Sequence, residues 1–172
     1  IQRWEVFLTT PGLPKSIEFE VRRLMSYPLL EMGDHDQALR ELKLVLEYGK
    51  AAGDDDLLCN ALGELATTYR QMGQIDKLLK TARERLVICQ RLDKRGAVLN
   101  TSIQIGAAFL EQELYDSAFV QFKQLLEIVT KDDYIYPYVL GGLVGVAPGV
   151  KRAMTEPYAE SAKALLIAKE TA

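Results

Sequence analysis

The sequence predicts an all-α fold, an α-solenoid of antiparallel helical hairpins with three regular repeats and a degenerate fourth. Three observations predict it. A turn segment recurs without gaps every 40 residues: Gly33-Asp34-His35-Asp36, Gly73-Gln74-Ile75-Asp76 and Glu113-Leu114-Tyr115-Asp116. The links between hairpins keep the same phase, with Gly53-Asp54-Asp55-Asp56 followed 40 residues later by Asp93-Lys94-Arg95-Gly96. Between these punctuation points the apolar residues fall at three- and four-residue spacings, which places them on one face of a helix.

The elements follow in order. Residues 1–14 form an N-terminal segment in which Trp4, Phe7 and Leu8 share helical spacing before the breaker Pro11-Gly12-Leu13-Pro14. It reads as a cap over the exposed end of the first repeat, or as the remnant of an earlier domain of a longer protein. The repeat domain then runs over 15–172, in repeats of 15–54, 55–94, 95–132 and 133–172. Helices are expected at 15–32, 35–52, 55–72, 75–92, 95–112 and 115–131. Met25/Leu29/Met32, Leu62/Leu65/Ala66/Tyr69 and Ile105/Gly106/Phe109 give the stripe of each first helix. Ala38/Leu42/Val45/Leu46, Leu78/Ala82/Leu86 and Ala118/Phe122/Leu125/Leu126 give that of each second helix. Glycine suits the left-handed residue that ends a helix, and Asp36, Asp76 and Asp116 meet the positive end of the next helix dipole. In the fourth repeat Gly141-Gly142-Leu143-Val144-Gly145 is a poor helix former and Pro148-Gly149 should end its first helix. Thr155 with Glu156-Pro157 then marks a new helix start, with Tyr158, Ala162, Leu165 and Leu166 in phase with the third repeat.

Composition removes several classes of function. The chain has 172 residues, 48% of them hydrophobic, and a formal net charge of -3 from 21 basic and 24 acidic residues. No basic field exists to hold a phosphate backbone, so direct nucleic-acid binding is not expected. No apolar run is long enough for a membrane span. Two cysteines, Cys59 and Cys89, are too few for a secreted disulfide scaffold and read as small buried hydrophobes in a reduced, cytoplasmic setting.

The residues also resemble a known family. Leu65-Ala66, Tyr69, Gly73 and Ile75, then Ile105-Gly106, Phe109, Tyr115, Ala118 and Phe122, resemble the tetratricopeptide motif of an aliphatic-small pair, an aromatic, a turn glycine and a later alanine. Glu113 stands where that motif has its turn glycine, Leu78 where it has alanine, Ala82 where it has an aromatic, and His35 where an aromatic usually packs. The 40-residue period resembles the longer-helix variety of bacterial signal-responsive regulators, pheromone-peptide receptors and eukaryotic polarity or motor-adaptor scaffolds. The resemblance covers 15–130 and implies a right-handed superhelix that binds other proteins.

The chemistry of an enzyme is thinly represented. His35 is the single histidine and sits at a turn, where packing explains it. Two thiols without histidine or acid neighbours make a poor zinc site. Gly145-Val146-Ala147-Pro148-Gly149-Val150-Lys151-Arg152 lacks the Gly-Lys-Ser/Thr order of a phosphate loop, and Asp54-Asp55-Asp56 lacks the spaced ligands of a calcium loop. No catalytic residue, cofactor or metal is assigned.

A binding role is expected instead, in a concave groove lined by the first helix of each repeat. Its residues would be Arg23, Tyr27 and Glu31 with Glu20 in the first repeat, and Asn60, Glu64, Thr67 and Arg70 in the second. Asn100, Gln104 and Glu111 with Ala107 would follow in the third. Asn60 and Asn100, one period apart, would offer amides to the backbone of an extended peptide, while the mixed charge would also suit a basic or amphipathic helix. The chain is thus expected to be a non-catalytic scaffold or sensor region of a larger protein, binding a protein or peptide. The alternative is a self-association module, in which Trp4, Tyr134, Tyr136, Tyr138 and the glycine-rich helix meet a second copy.

Overall fold

The structure, a computed structural model, describes residues 2–153. Every regular element among them is a helix: α1 (Gln2–Leu8), α2 (Lys15–Glu31), α3 (His35–Ala52), α4 (Asp55–Gln71), α5 (Ile75–Arg91), α6 (Arg95–Glu111), α7 (Tyr115–Ile128) and α8 (Tyr136–Ala153). The chain divides into two compact units, one ending at Lys94 and the other beginning at Arg95, which is the boundary between the second and third repeats. In the first unit α2, α3, α4 and α5 pack in succession, with α2 also against α4 and α1 against α2. In the second unit α7 packs against both α6 and α8, which also touch each other. In each unit the first helices pack side by side, α2 with α4 and α6 with α8, and the second helices pack against them, the arrangement of a tetratricopeptide-like α-solenoid.

The turns form as their residues dictate. Gly33 and Gly73 adopt φ of 76° and 68°, and each turn closes with a pair of backbone bonds. Asp34 N–H donates to the Leu29 carbonyl at 2.9 Å and Gln74 N–H to the Tyr69 carbonyl at 2.8 Å. The same bonds recur from Lys94 to Cys89 and from Leu114 to Phe109, both at 2.9 Å. This is the Schellman closure, which satisfies carbonyls that a helix end leaves unpaired. Asp93 and Glu113 hold the left-handed position in those two turns without glycine, at φ of 52° and 58°. Asp36, Asp76 and Asp116 all lie in first turns of helices. The Asp54-Asp55-Asp56 run has three separate roles. Asp54 caps α4 by accepting from the Leu57 N–H at 2.9 Å, Asp55 pairs with Arg91 at 2.6 Å, and Asp56 pairs with Lys94.

The predicted stripes are the cores of the two units. Met25, Leu29, Ala38, Leu42, Val45, Leu62, Ala66, Leu78 and Ala82 are buried in the first. Phe119, Phe122, Leu125, Leu126, Val139 and Leu143 are buried in the second. Met32 departs from its stripe: it caps the end of α2 and is 70% exposed.

Three expectations need correction. The helix expected to run to 131 ends at Ile128, because Asp133 accepts from the Thr130 N–H at 2.8 Å and ties the chain into a turn. The glycine-rich helix does not stop at Pro148; α8 continues to Ala153. Burial overrides its weak propensity there: Val139, Leu143 and Val146 are fully buried, and the absence of a side chain at Gly142 lets α8 close on the Phe122 ring of α7. Finally, Cys59 and Cys89 are not free thiols. They are fully buried, as expected of small hydrophobes, but joined by a disulfide that links α4 to α5. The helix start at Thr155 and the in-phase residues from Tyr158 to Leu166 lie outside the described residues.

Candidate partner-binding face

The first helices of the first unit, α2 and α4, carry eight of the expected groove residues, a half-buried Glu20 among them, and the structure sorts them by depth. Tyr27 is 52% exposed, and Glu31, Asn60 and Arg70 are exposed, while Thr67 is half-buried. Arg23 and Glu64 are different: at 8% and 6% exposure they lie beneath that face rather than on it.

These two buried charges are held in a network. The Arg23 guanidinium donates from Nε to Glu20 Oε2 at 2.9 Å, from Nη2 to Glu20 Oε1 at 2.5 Å, and from Nη1 to Glu64. Ser26 Oγ lies 3.1 Å from Glu64 Oε2 and 2.7 Å from the Arg23 carbonyl. The Tyr27 hydroxyl lies near the Glu64 carboxylate. From the other side, Arg85 of α5 donates from Nε to the Cys59 carbonyl at 2.9 Å, and its guanidinium fills the space left by Gly63. Burial pushes the Glu64 carboxyl up from its ordinary value, against the pull of Arg23. The two carboxylates around Arg23, Glu20 first, raise its guanidinium pKa. Burial lowers that of Arg85, and it raises that of the Tyr27 hydroxyl, with the nearby Glu64 charge adding to the effect. A carboxylate taken out of water needs such partners, and here α2, α4 and α5 each supply a charged member.

Sequence reasoning missed Ser26 and Arg85. The available signal was Glu64 itself, an acid inside the run Leu57-Leu58-Cys59-Asn60-Ala61-Leu62-Gly63-Glu64-Leu65-Ala66, which no solvated helix face would contain.

In the second unit the face belongs to α6 and the segment leading into α8. Asn100 is exposed, but its Oδ1 accepts a 2.7 Å hydrogen bond from the Tyr134 hydroxyl, which leaves the amide NH2 to donate outward. Gln104 and Ala107 are half-buried and Glu111 is exposed. Arg95 and Asp133 pair at 2.6 Å at the start of this face. The row expected of Asn60 and Asn100 therefore divides, one residue in each unit. Tyr134 and Tyr138 are 62% and 65% exposed, whereas Tyr136 is buried in the core. A shallow cleft on the α6–α7 side is lined by Phe109, Asp116, Ser117, Val120 and Gln121.

His35 opens α3 half-buried, with its Nδ1 enclosed and unbonded. Among the described residues no group of three histidine, cysteine or acidic side chains comes together to hold a metal. Among the same residues no helix is long and apolar enough to cross a membrane.

Comparison with known proteins agrees with this geometry. No curated protein matches the chain. BtubC (BKLC) from P. vanneervenii superposes with a TM-score of 0.76 at 17% identity, over 99% of this chain and 73% of that one. A Signal Transduction ATPase with Numerous Domains protein with a tetratricopeptide repeat sensor, from Pyrococcus horikoshii, gives 0.72 at 16% identity over 94% of this chain. The match spans about a quarter of that protein's length, 26%. At these identities the likeness is one of fold. Residues 57–131 match the family model described as Tetratricopeptide repeat, and that part of the chain carries repeats of the tetratricopeptide type.

Proposed function

We propose that this chain is a non-catalytic interaction module that holds a protein or peptide segment against the faces of its first helices. The supporting observation is a largely exposed polar row on each unit, in the first backed by a fixed network. Tyr27, Glu31, Asn60 and Arg70 stand in the first unit over the Arg23–Glu64 network, and Asn100, Gln104 and Glu111 stand along α6 in the second. Thr67 completes the first row. Tetratricopeptide repeats generally mediate protein–protein interaction or scaffolding and are typically non-catalytic, which is the role this face fits.

The side chains indicate how the partner is held. The Asn100 amide, its oxygen already taken by Tyr134, donates to a backbone carbonyl, and Asn60 provides both donor and acceptor. Arg23 is neutralised by two carboxylates and adds little charge to the surface. The exposed charges are Glu31, Arg70 and Glu111, a mixed set that suits an extended or helical segment bearing both signs. The proposed setting is a scaffold or signal-sensing region of a larger cytoplasmic protein. A second reading, self-association, is favoured by the exposure of Tyr134 and Tyr138 on the unit that contains α8. Light scattering across a concentration series separates the two, because a mass fixed at one chain leaves only the first. The face itself is tested with a peptide selected from a display library. Asn60→Ala combined with Asn100→Ala should weaken its binding about tenfold or more. Unchanged affinity would sink the amide-donor reading.

A further inference from the structure

We propose that Cys59 and Cys89 form a reversible thiol–disulfide lock that sets the order of the polar network beneath the α2–α4 face. The two residues lie on facing positions of α4 and α5 with Cα atoms 5.8 Å apart, within the range a disulfide spans without backbone movement, and they are bonded. The bond adjoins the network. The Cys59 carbonyl accepts from Arg85 Nε at 2.9 Å, one turn before Gly63, where a methyl group would lie 2.6 Å from the guanidinium carbon. Gly63 precedes Glu64, whose charge acts on Arg85 and whose carboxylate accepts from Arg23 and Ser26 of α2. Contacts therefore run from the sulfurs to Arg85 and from Glu64 to α2, and the charge of Glu64 joins the two.

The coupling comes from the cross-link itself. While closed, the bond ties α4 to α5 at the turn whose Cys59 carbonyl holds Arg85. Without that restraint the buried α4–α5 contact opens locally more often, and each opening takes the Cys59 carbonyl away from Arg85. Closing the lock consumes a small-molecule disulfide such as oxidised glutathione. One cysteine thiolate attacks it, releasing one thiol and leaving a mixed disulfide. The second thiolate then attacks the protein sulfur of that mixed disulfide and releases the other thiol. Two electrons and two protons pass to the reagent, and reduction reverses the steps. Because the sulfurs are enclosed, exchange needs local opening of the α4–α5 hairpin, and each state is held once formed. The consequence for partner affinity rests on the reading above, but the lock itself does not and is measured in the unliganded chain.

The full chain is equilibrated in glutathione buffers from reducing to oxidising, then acid-quenched and alkylated for mass, with amide exchange followed in parallel. The bond is expected to close toward the oxidising end, and amides over residues 22–27 of α2 to exchange about tenfold faster in the reduced chain. Arg85→Ala, with the bond still closed, should give the same fast exchange. Thiols that alkylate at every buffer ratio would overturn the proposal, as would α2 amides that exchange equally in both states. An Arg85→Ala chain whose α2 amides stay slow while reduction speeds those of the unmodified chain would overturn the route through Arg85.

Discussion

Glu64 shows most clearly how a single side chain decides the local structure. It is 6% exposed, and its carboxylate accepts from Arg23 and Ser26 beneath Tyr27. Removing one member of a buried pair leaves the other charge without compensation, so Glu64→Ala should destabilise the chain by about 3 kcal/mol in a denaturant titration. Asp133 gives a prediction of a different kind. The hydrogen bonds of the Arg95 guanidinium, and next the Thr130 N–H, hold its carboxyl well below the usual carboxylate range. Its folded pKa is thus depressed, and the stability it supplies is present above the ordinary aspartate value and lost as pH falls through the folded one. Stability curves of the native chain and Asp133→Asn should therefore converge in acid and separate toward neutrality. Glu64 has the opposite sign: its raised carboxyl favours the fold at low pH, and that contribution fades as pH rises through the folded value. Sequence spacing placed Arg23 and Glu64 on the expected face, whereas both lie beneath it. Helical periodicity gives the direction in which a side chain leaves its helix. How far a long polar side chain reaches toward an adjacent helix depends on packing that spacing does not record.

At the scale of elements, most of the fold was legible. Observed α2 to α6 begin and end within a residue of their predicted limits, because a proline, glycine or acidic residue marks each boundary. What spacing could not show was α8, where local propensity and packing disagree. Gly141 and Gly142 separate the two effects. A Cβ on Gly141 meets nothing within 4 Å, so Gly141→Ala should stabilise by about 1 kcal/mol through helix propensity alone. Gly142 lies against the Phe122 ring, and Gly142→Ala should destabilise by about 2 kcal/mol as the ring is forced aside. Thermal melts of the two variants should shift in opposite directions. The turn at Glu113, where the motif's glycine is missing, is legible as a departure and carries its own prediction. At φ of 58° a glycine relieves strain, so Glu113→Gly should stabilise by about 1 kcal/mol. The cysteine pair was legible only as two buried positions. Their approach to 5.8 Å depends on the crossing of α4 and α5, which no spacing records.

For the molecule as a whole, the 40-residue period places exposed polar side chains on α2, α4 and α6, while α3, α5 and α7 form the second layer of their units. The central claim is that the first set meets the partner. The most direct test is amide exchange on the full chain with and without a peptide selected against it. The account predicts protection concentrated in α2, α4 and α6, around Tyr27, Asn60, Arg70 and Asn100, and lost with Asn60→Ala and Asn100→Ala together. Protection confined to α3, α5 and α7, and unaffected by those substitutions, would contradict it.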